Sequence, residues 1–293
     1  MTSVLHGDII LRMRHLVLQD KRKQIIKIIS NGRRVRNNIL VSIPTIVMSP
    51  VILLFLSLCL FVFRLDSNNL GDSGVKLLSV ALRNPDCKIQ KLWLGKNNIS
   101  DSCAGDLASA LSINRSLTFL DLSDNKLGDS GVKLLSEALR NPDCKIETLE
   151  LYNNELTASC IEDFAFTLST NRSLIDLNLS DNKLGDSGVK LLSAVLRNPD
   201  SKIQELHLRR VGLSDSCVKD LISLHSTNHS LTFLDLRSNS FTEQSFPALH
   251  HLILNCRSLE HIWLLGNQFS SNGKRLLKSL QDRRPGLDVV VDV

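Results

Sequence analysis

Seven cysteines are present, yet no pair has CxxC spacing and no Cys/His set has zinc-ligand spacing. That absence excludes a zinc-finger framework. Nor is an odd-numbered set a disulfide scaffold, because Cys103, Cys160 and Cys217 stand 57 residues apart, as do Cys87 and Cys144. They are copies of two positions, read as buried thiols in a reducing compartment. No GxxxxGK[ST] phosphate loop occurs, since Gly95-Lys96 and Gly273-Lys274 lack the preceding glycine, and HExxH and GxSxG are missing too. His250 and His251 are adjacent on an expected helix, and adjacent helical residues do not share a face. No cofactor and no metal is therefore expected. Basic excess is missing from most of the chain: residues 1–63 hold nine Lys/Arg against two Asp/Glu, and the remainder 26 against 28. A nucleic-acid footprint needs a basic stripe on the folded body, so no nucleic-acid partner is expected. Aromatics are few, with two Trp and one Tyr.

What is present is a period. GDSG occurs at 71–74, 128–131 and 185–188, and RNPD at 83–86, 140–143 and 197–200. Each 57-residue block divides into 28- and 29-residue halves sharing the frame LxxLxLxxNxL, as in LTFLDLSDNKL (117–127) and IETLELYNNEL (146–156). Seven full frames and one partial copy, FRLDSNNL (63–70), cover about three-quarters of the chain. The LxL alternation has a strand period of two, leucines inward. Asn68, Asn97, Asn125, Asn154, Asn182, Asn239 and Asn267 form a ladder where the chain leaves each strand. There an amide can satisfy backbone groups that would otherwise be buried alone. In one copy Val211 replaces the Asn. A helix follows, for example VKLLSEAL at 132–139, and the proline of RNPD stops it. One unit cannot bury its own apolar face, but stacked units can. The expected fold is an α/β solenoid over 63–293, about eight repeats and a C-terminal strand, with a parallel concave sheet and convex helices.

GDSG also surrounds the nucleophile of trypsin-like proteases. Such a serine needs a histidine base and an acid to orient it, and the eight histidines do not recur with the period. An enzyme is not expected. Asp72, Asp129 and Asp186, with Asp101 and Asp215 in the SDSC copies, are read as helix N-caps, and Gly128 as permitting a tight turn.

The frame resembles the leucine-rich repeat, and the alternation of 28 and 29 residues with a full helix per unit resembles the ribonuclease-inhibitor subtype. The GDSGVKLLS and RNPDCKIETL phrasing is similar to the repeats of fish-type NOD-like receptors related to the NLRP and NLRC branches. That resemblance implies a cytoplasmic, non-enzymatic protein-interaction module for ligand sensing or regulation in innate immune signalling, usually behind a NACHT domain. An enzyme inhibitor is the alternative, although a near-neutral repeat region lacks the acidic field that would steer a basic ribonuclease. A protein or peptide ligand would meet the outward residues of the strands: Trp93, Asp121, Glu150, Tyr152, Asn178, His207, Arg209, Asp235, Arg237, His261 and Trp263. Both Trp and the single Tyr lie in this set, and such residues anchor interfaces.

Residues 1–38 form a basic segment outside the array. Residues 39–63 (ILVSIPTIVMSPVILLFLSLCLFVF) carry no charge and are long enough to span a bilayer. Two readings stay open, a membrane anchor at 39–62 or an N-terminus foreign to the native protein. Glycosylation at Asn114, Asn171 or Asn228 would mark a third function, a membrane-tethered extracellular receptor; Asn98 and Asn178 are further sequons.

Overall fold

Alternate leucines of each frame need one dry side, and a three-residue strand provides it. In the computed structural model, which describes residues 39–40, 61–198, 201–222 and 230–292, these strands form one ten-stranded parallel sheet in sequential order. They are β1 (Ile39–Leu40), β2 (Val62–Arg64), β3 (Lys91–Trp93), β4 (Phe119–Asp121), β5 (Thr148–Glu150), β6 (Asp176–Asn178), β7 (Glu205–His207), β8 (Phe233–Asp235), β9 (His261–Trp263) and β10 (Asp288–Val290). From β2 to β10 the central residue is buried and its neighbours are at least partly exposed, apart from the buried Asp235 of β8. Behind them run α1 (Gly71–Leu82), α2 (Ala104–Leu111), α3 (Gly128–Leu139), α4 (Ala158–Thr170), α5 (Gly185–Leu196), α6 (Val218–Ile222), α7 (Phe246–Asn255) and α8 (Ser271–Ser279). A single leucine-rich core lies between strands and helices and continues from Phe63 to Val291. This is the leucine-rich-repeat solenoid.

The asparagines knit successive units. Asn97, fully buried, donates from Nδ2 to the carbonyls of Leu65, Leu94 and Gly95 at 2.8, 3.0 and 3.1 Å. Its Oδ1 accepts the N–H groups of Asn68 and Leu70, at 3.0 and 3.1 Å. Asn125, Asn154, Asn182, Asn239 and Asn267 repeat the pattern, and Asn68 donates to carbonyls within its own turn. At Val211 the ladder has a gap. Asn154 and Leu156 give their N–H groups to Asn182 Oδ1, whereas the side chain of Val211 has no oxygen to offer Asn182 and Leu184.

The N-cap expectation needs correction. α1, α3 and α5 begin at the glycines of GDSG, preceded by Leu70, Leu127 and Leu184 in helical geometry with no side-chain cap. Asp72, Asp129 and Asp186 are therefore already the second residue of the helix, and a cap must lie outside it in extended backbone. Their carboxylates reach the next unit instead. Asp72 accepts the N–H and Oγ of Ser100, both at 2.7 Å; Asp129 those of Thr157, at 2.8 and 2.5 Å; Asp186 those of Ser214, at 2.8 and 2.5 Å. Asp215 does the same with Thr242. Asp101 is not a cap either, because Ser100 fills that role in its unit; Thr157, Ser214, Thr242 and Ser270 are the equivalents. Gly128 has φ +57°, a conformation that favours glycine, whereas a Cβ on Gly131 would sit 3.1 Å from that of Leu127. The two glycines of one GDSG thus answer different constraints.

Ile39–Leu40, at the start of the apolar run for which a membrane anchor is one of two readings, is a strand paired with Phe63–Arg64. Residues 41–60 and the basic segment 1–38 lie outside the described residues. Among those described, no helix is long and apolar enough to cross a membrane.

Candidate functional site

Strand register aligns the outward side chains in rows. One row runs Arg64, Trp93, Asp121, Glu150, Asn178, His207, Asp235, Trp263. A second runs Lys91, Phe119, Thr148, Asp176, Glu205, Phe233, His261. Adjacent strands are about 4.8 Å apart, so neighbours in a row touch. Trp93 packs on Phe119 with ring centroids 4.6 Å apart, and the Arg64 guanidinium lies 4.9 Å from the Trp93 centroid. At the other end Trp263 meets Phe233 edge-on at 4.7 Å and Arg237 covers its ring at 4.3 Å. Both tryptophans thus pack sideways on their neighbours while remaining partly exposed.

Carboxylates occupy the middle of the face. Glu150 accepts a 2.7 Å hydrogen bond from Asn178. Burial raises its pKa against that hydrogen bond, and the negative charges of Asp176 and Asp121 add to the rise. His207 Nε2 lies 3.4 Å from Asp176 Oδ1 and 3.8 Å from Glu205 Oε2. Burial opposes the imidazolium, but the close carboxylate and charge of Asp176, with Glu150 and Asp235, outweigh it and raise the histidine pKa. Asp235 does not face solvent: its side chain is 1 % exposed and it grips Arg237 through Nε and Nη2. It positions Arg237 over Trp263. Tyr152 and Arg209 are partly exposed, and His261 is half-exposed near Asp288. Arg64 escaped the sequence reading because its copy of the frame is truncated; its place before β3, in register with Trp93, was the available signal.

Residues 114–136 and 170–193 match one Leucine Rich Repeat family and 230–252 another. NACHT, LRR and PYD domains-containing protein 3 of Macaca mulatta is 41% identical over 67% of this chain and 18% of its own length. The Homo sapiens protein of that name is 38% identical over 78% of this chain and 22% of its own length. Human NACHT, LRR and PYD domains-containing protein 12 is 36% identical over 77% of this chain and 21% of its own. The chain is a leucine-rich-repeat protein like those of NOD-like receptors. It spans about a fifth of the length of the curated relatives it matches.

Within this repeat protein the serine of GDSG has a plain setting. Ser130 is exposed, and the neighbouring Asp129 carboxylate is engaged with Thr157. For Asp72, burial opposes the charge, but hydrogen bonds from Ser102 and from the backbone and side chain of Ser100 prevail and hold its pKa at about 2. The cysteines of the repeats are interior. Cys103 is pushed up to about 12 by burial and by the adjacent Asp72, and Cys160 and Cys217 are raised for the same kind of reason. Thiolate is the reactive form, so Cys87, Cys103, Cys144, Cys160, Cys217 and Cys256, all buried, are expected to react with Ellman's reagent only after denaturation. Titration before and after guanidinium checks this; rapid native reaction at any of the six would contradict it.

Two sequons are unavailable in the folded repeat. Asn114 and Asn171 are 6 % and 8 % exposed and donate to the carbonyls of Leu82 and Leu139. Asn178 lies in β6, bonded to Glu150. Asn98 is exposed, and Asn228 lies outside the described residues.

Proposed function

We propose that this chain is a non-enzymatic protein-binding module which receives a protein or peptide ligand on its concave sheet and serves ligand sensing or regulation in NOD-like-receptor signalling in the cytoplasm. The supporting observation is the pair of aromatic–arginine clusters, Arg64–Trp93–Phe119 and Phe233–Trp263–Arg237, at opposite ends of a carboxylate-rich strip. Partly exposed Trp with a stacked guanidinium gives a rigid apolar anchor with a polar rim. The names of the relatives, which carry NACHT and LRR together, support the signalling context.

A photo-crosslinking residue at Tyr152 is expected to capture a protein in host cells, and the same residue at Phe166, exposed on α4, is not. Adding Trp93→Ala and Trp263→Ala to the Tyr152 probe is expected to cut the adduct at least about tenfold, since anchor residues cost 2 kcal/mol or more when truncated. Equal capture from both positions, or an adduct indifferent to the tryptophans, overturns the assignment.

A further inference from the structure

We infer that Asp176, Glu205 and His207 form a divalent metal site, of the kind that takes Zn2+, at the centre of the concave face. Topology brings the three together. Asp176 and Glu205 are register partners across β6 and β7. Glu205 and His207 are two apart on one strand and share its outward side. One ligand atom from each lies within 4.8 Å of the other two. His207 Nε2 stands 3.4 Å from Asp176 Oδ1 and 3.8 Å from Glu205 Oε2. Zinc binds histidine nitrogen and carboxylate oxygen at about 2.0–2.2 Å, which places neighbouring ligands of a tetrahedron about 3.4 Å apart. The site therefore needs an inward shift of Glu205, whose side chain is 49 % exposed.

Two observations beyond proximity favour a cation here. Asp176 Oδ1 is buried and makes no contact of hydrogen-bond geometry; its polar neighbour is the His207 imidazole at 3.4 Å. The His207 ring is also held in orientation by Phe233, with ring centroids 4.9 Å apart, which reduces the ordering cost of ligation. A metal ion would take the place of the imidazole proton between the two carboxylates. Nitrogen with two carboxylate oxygens suits zinc-like ions better than Ca2+ or Mg2+, which prefer oxygen alone. Three protein ligands leave at least one coordination position open toward the concavity.

The inference shares its location with the proposed binding face but not its evidence. Trp93 and Trp263 test partner capture, whereas the metal is titrated without a partner, so the two readings can fail separately. Chelator-treated full chain is titrated with ZnCl2 by calorimetry and with Co2+ by visible absorption. One saturable site is expected, weakened at least about tenfold by each of His207→Ala, Asp176→Asn and Glu205→Gln. Should either of the first two fail to fold, Glu205→Gln, half-exposed and isosteric, decides alone. No saturable binding, or binding with unchanged Kd in Glu205→Gln or in a folded His207→Ala or Asp176→Asn variant, overturns the site.

Discussion

Asn125→Ala is expected to cost about 3–5 kcal/mol of stability, because it orphans several buried backbone groups together. The Asn125 side-chain oxygen receives the N–H groups of Asn97 and Ile99, both at 3.0 Å. Its Nδ2 donates to the carbonyls of Leu94, Leu122 and Ser123, at 3.0, 2.8 and 3.0 Å. Asn125 is 5 % exposed, so water does not easily replace the amide, and an alanine methyl can accept nothing. Urea unfolding followed by circular dichroism measures the loss. Glu137→Ala, at an exposed position on α3, serves as reference and should stay within about 0.5 kcal/mol of the parent. An Asn125→Ala variant equally close to the parent would mean that the ladder is not a source of stability. In a stack where each unit touches only its neighbours, loss of the Asn125 amide weakens the joint to the preceding unit and the turn of its own.

The second large effect is expected at the other end of the array. Arg284 sends Nη1 to the carbonyl of Ile253 at 2.7 Å, and Nη2 to those of Arg257 and Leu259 at 2.9 and 2.5 Å. One guanidinium thus closes the turn between α7 and β9. Arg284→Ala should destabilise this end by about 3 kcal/mol, given 1.5–3 kcal/mol for hydrogen bonds to a charged group and incomplete additivity. Arg284→Lys should recover less than half, since an ammonium lacks the planar fork that serves three carbonyls. Amide exchange over residues 253–265 reads the effect locally. Full rescue by lysine would show that charge alone, without the fork, holds the turn.

Much of this architecture was legible because it is periodic. LxL alternation identified the strands and which side chains face outward, and the recurring Asn marked the turn that needs an amide. What stayed hidden depends on partners about one unit away. Asp72 precedes Ser100 by 28 residues, and nothing in GDSG read alone says that its carboxylate serves the next unit rather than its own helix. Local logic suggested a cap, and the αR geometry of Leu70 removed that option. Asp235 was expected to face a ligand, but its grip on Arg237 at i+2 withdraws it from solvent. Arg64 and Arg284 belong to atypical end units, where the frame gives no template.

The Asp-to-hydroxyl contacts between units also bear on how such an array can change length. Three of them run from a GDSG unit to the Ser- or Thr-capped unit after it, Asp72 to Ser100, Asp129 to Thr157 and Asp186 to Ser214, and a fourth joins two capped units, Asp215 to Thr242. Unequal recombination that adds or removes 57 residues keeps each GDSG unit before a capped unit and so keeps the first three contacts. Removing one capped unit alone would set Asp72 opposite Gly128, which has no hydroxyl to give. In the GDSG-bearing part of the array the step that preserves these contacts is therefore a pair of repeats, and such a step would bring new side chains to the concave face.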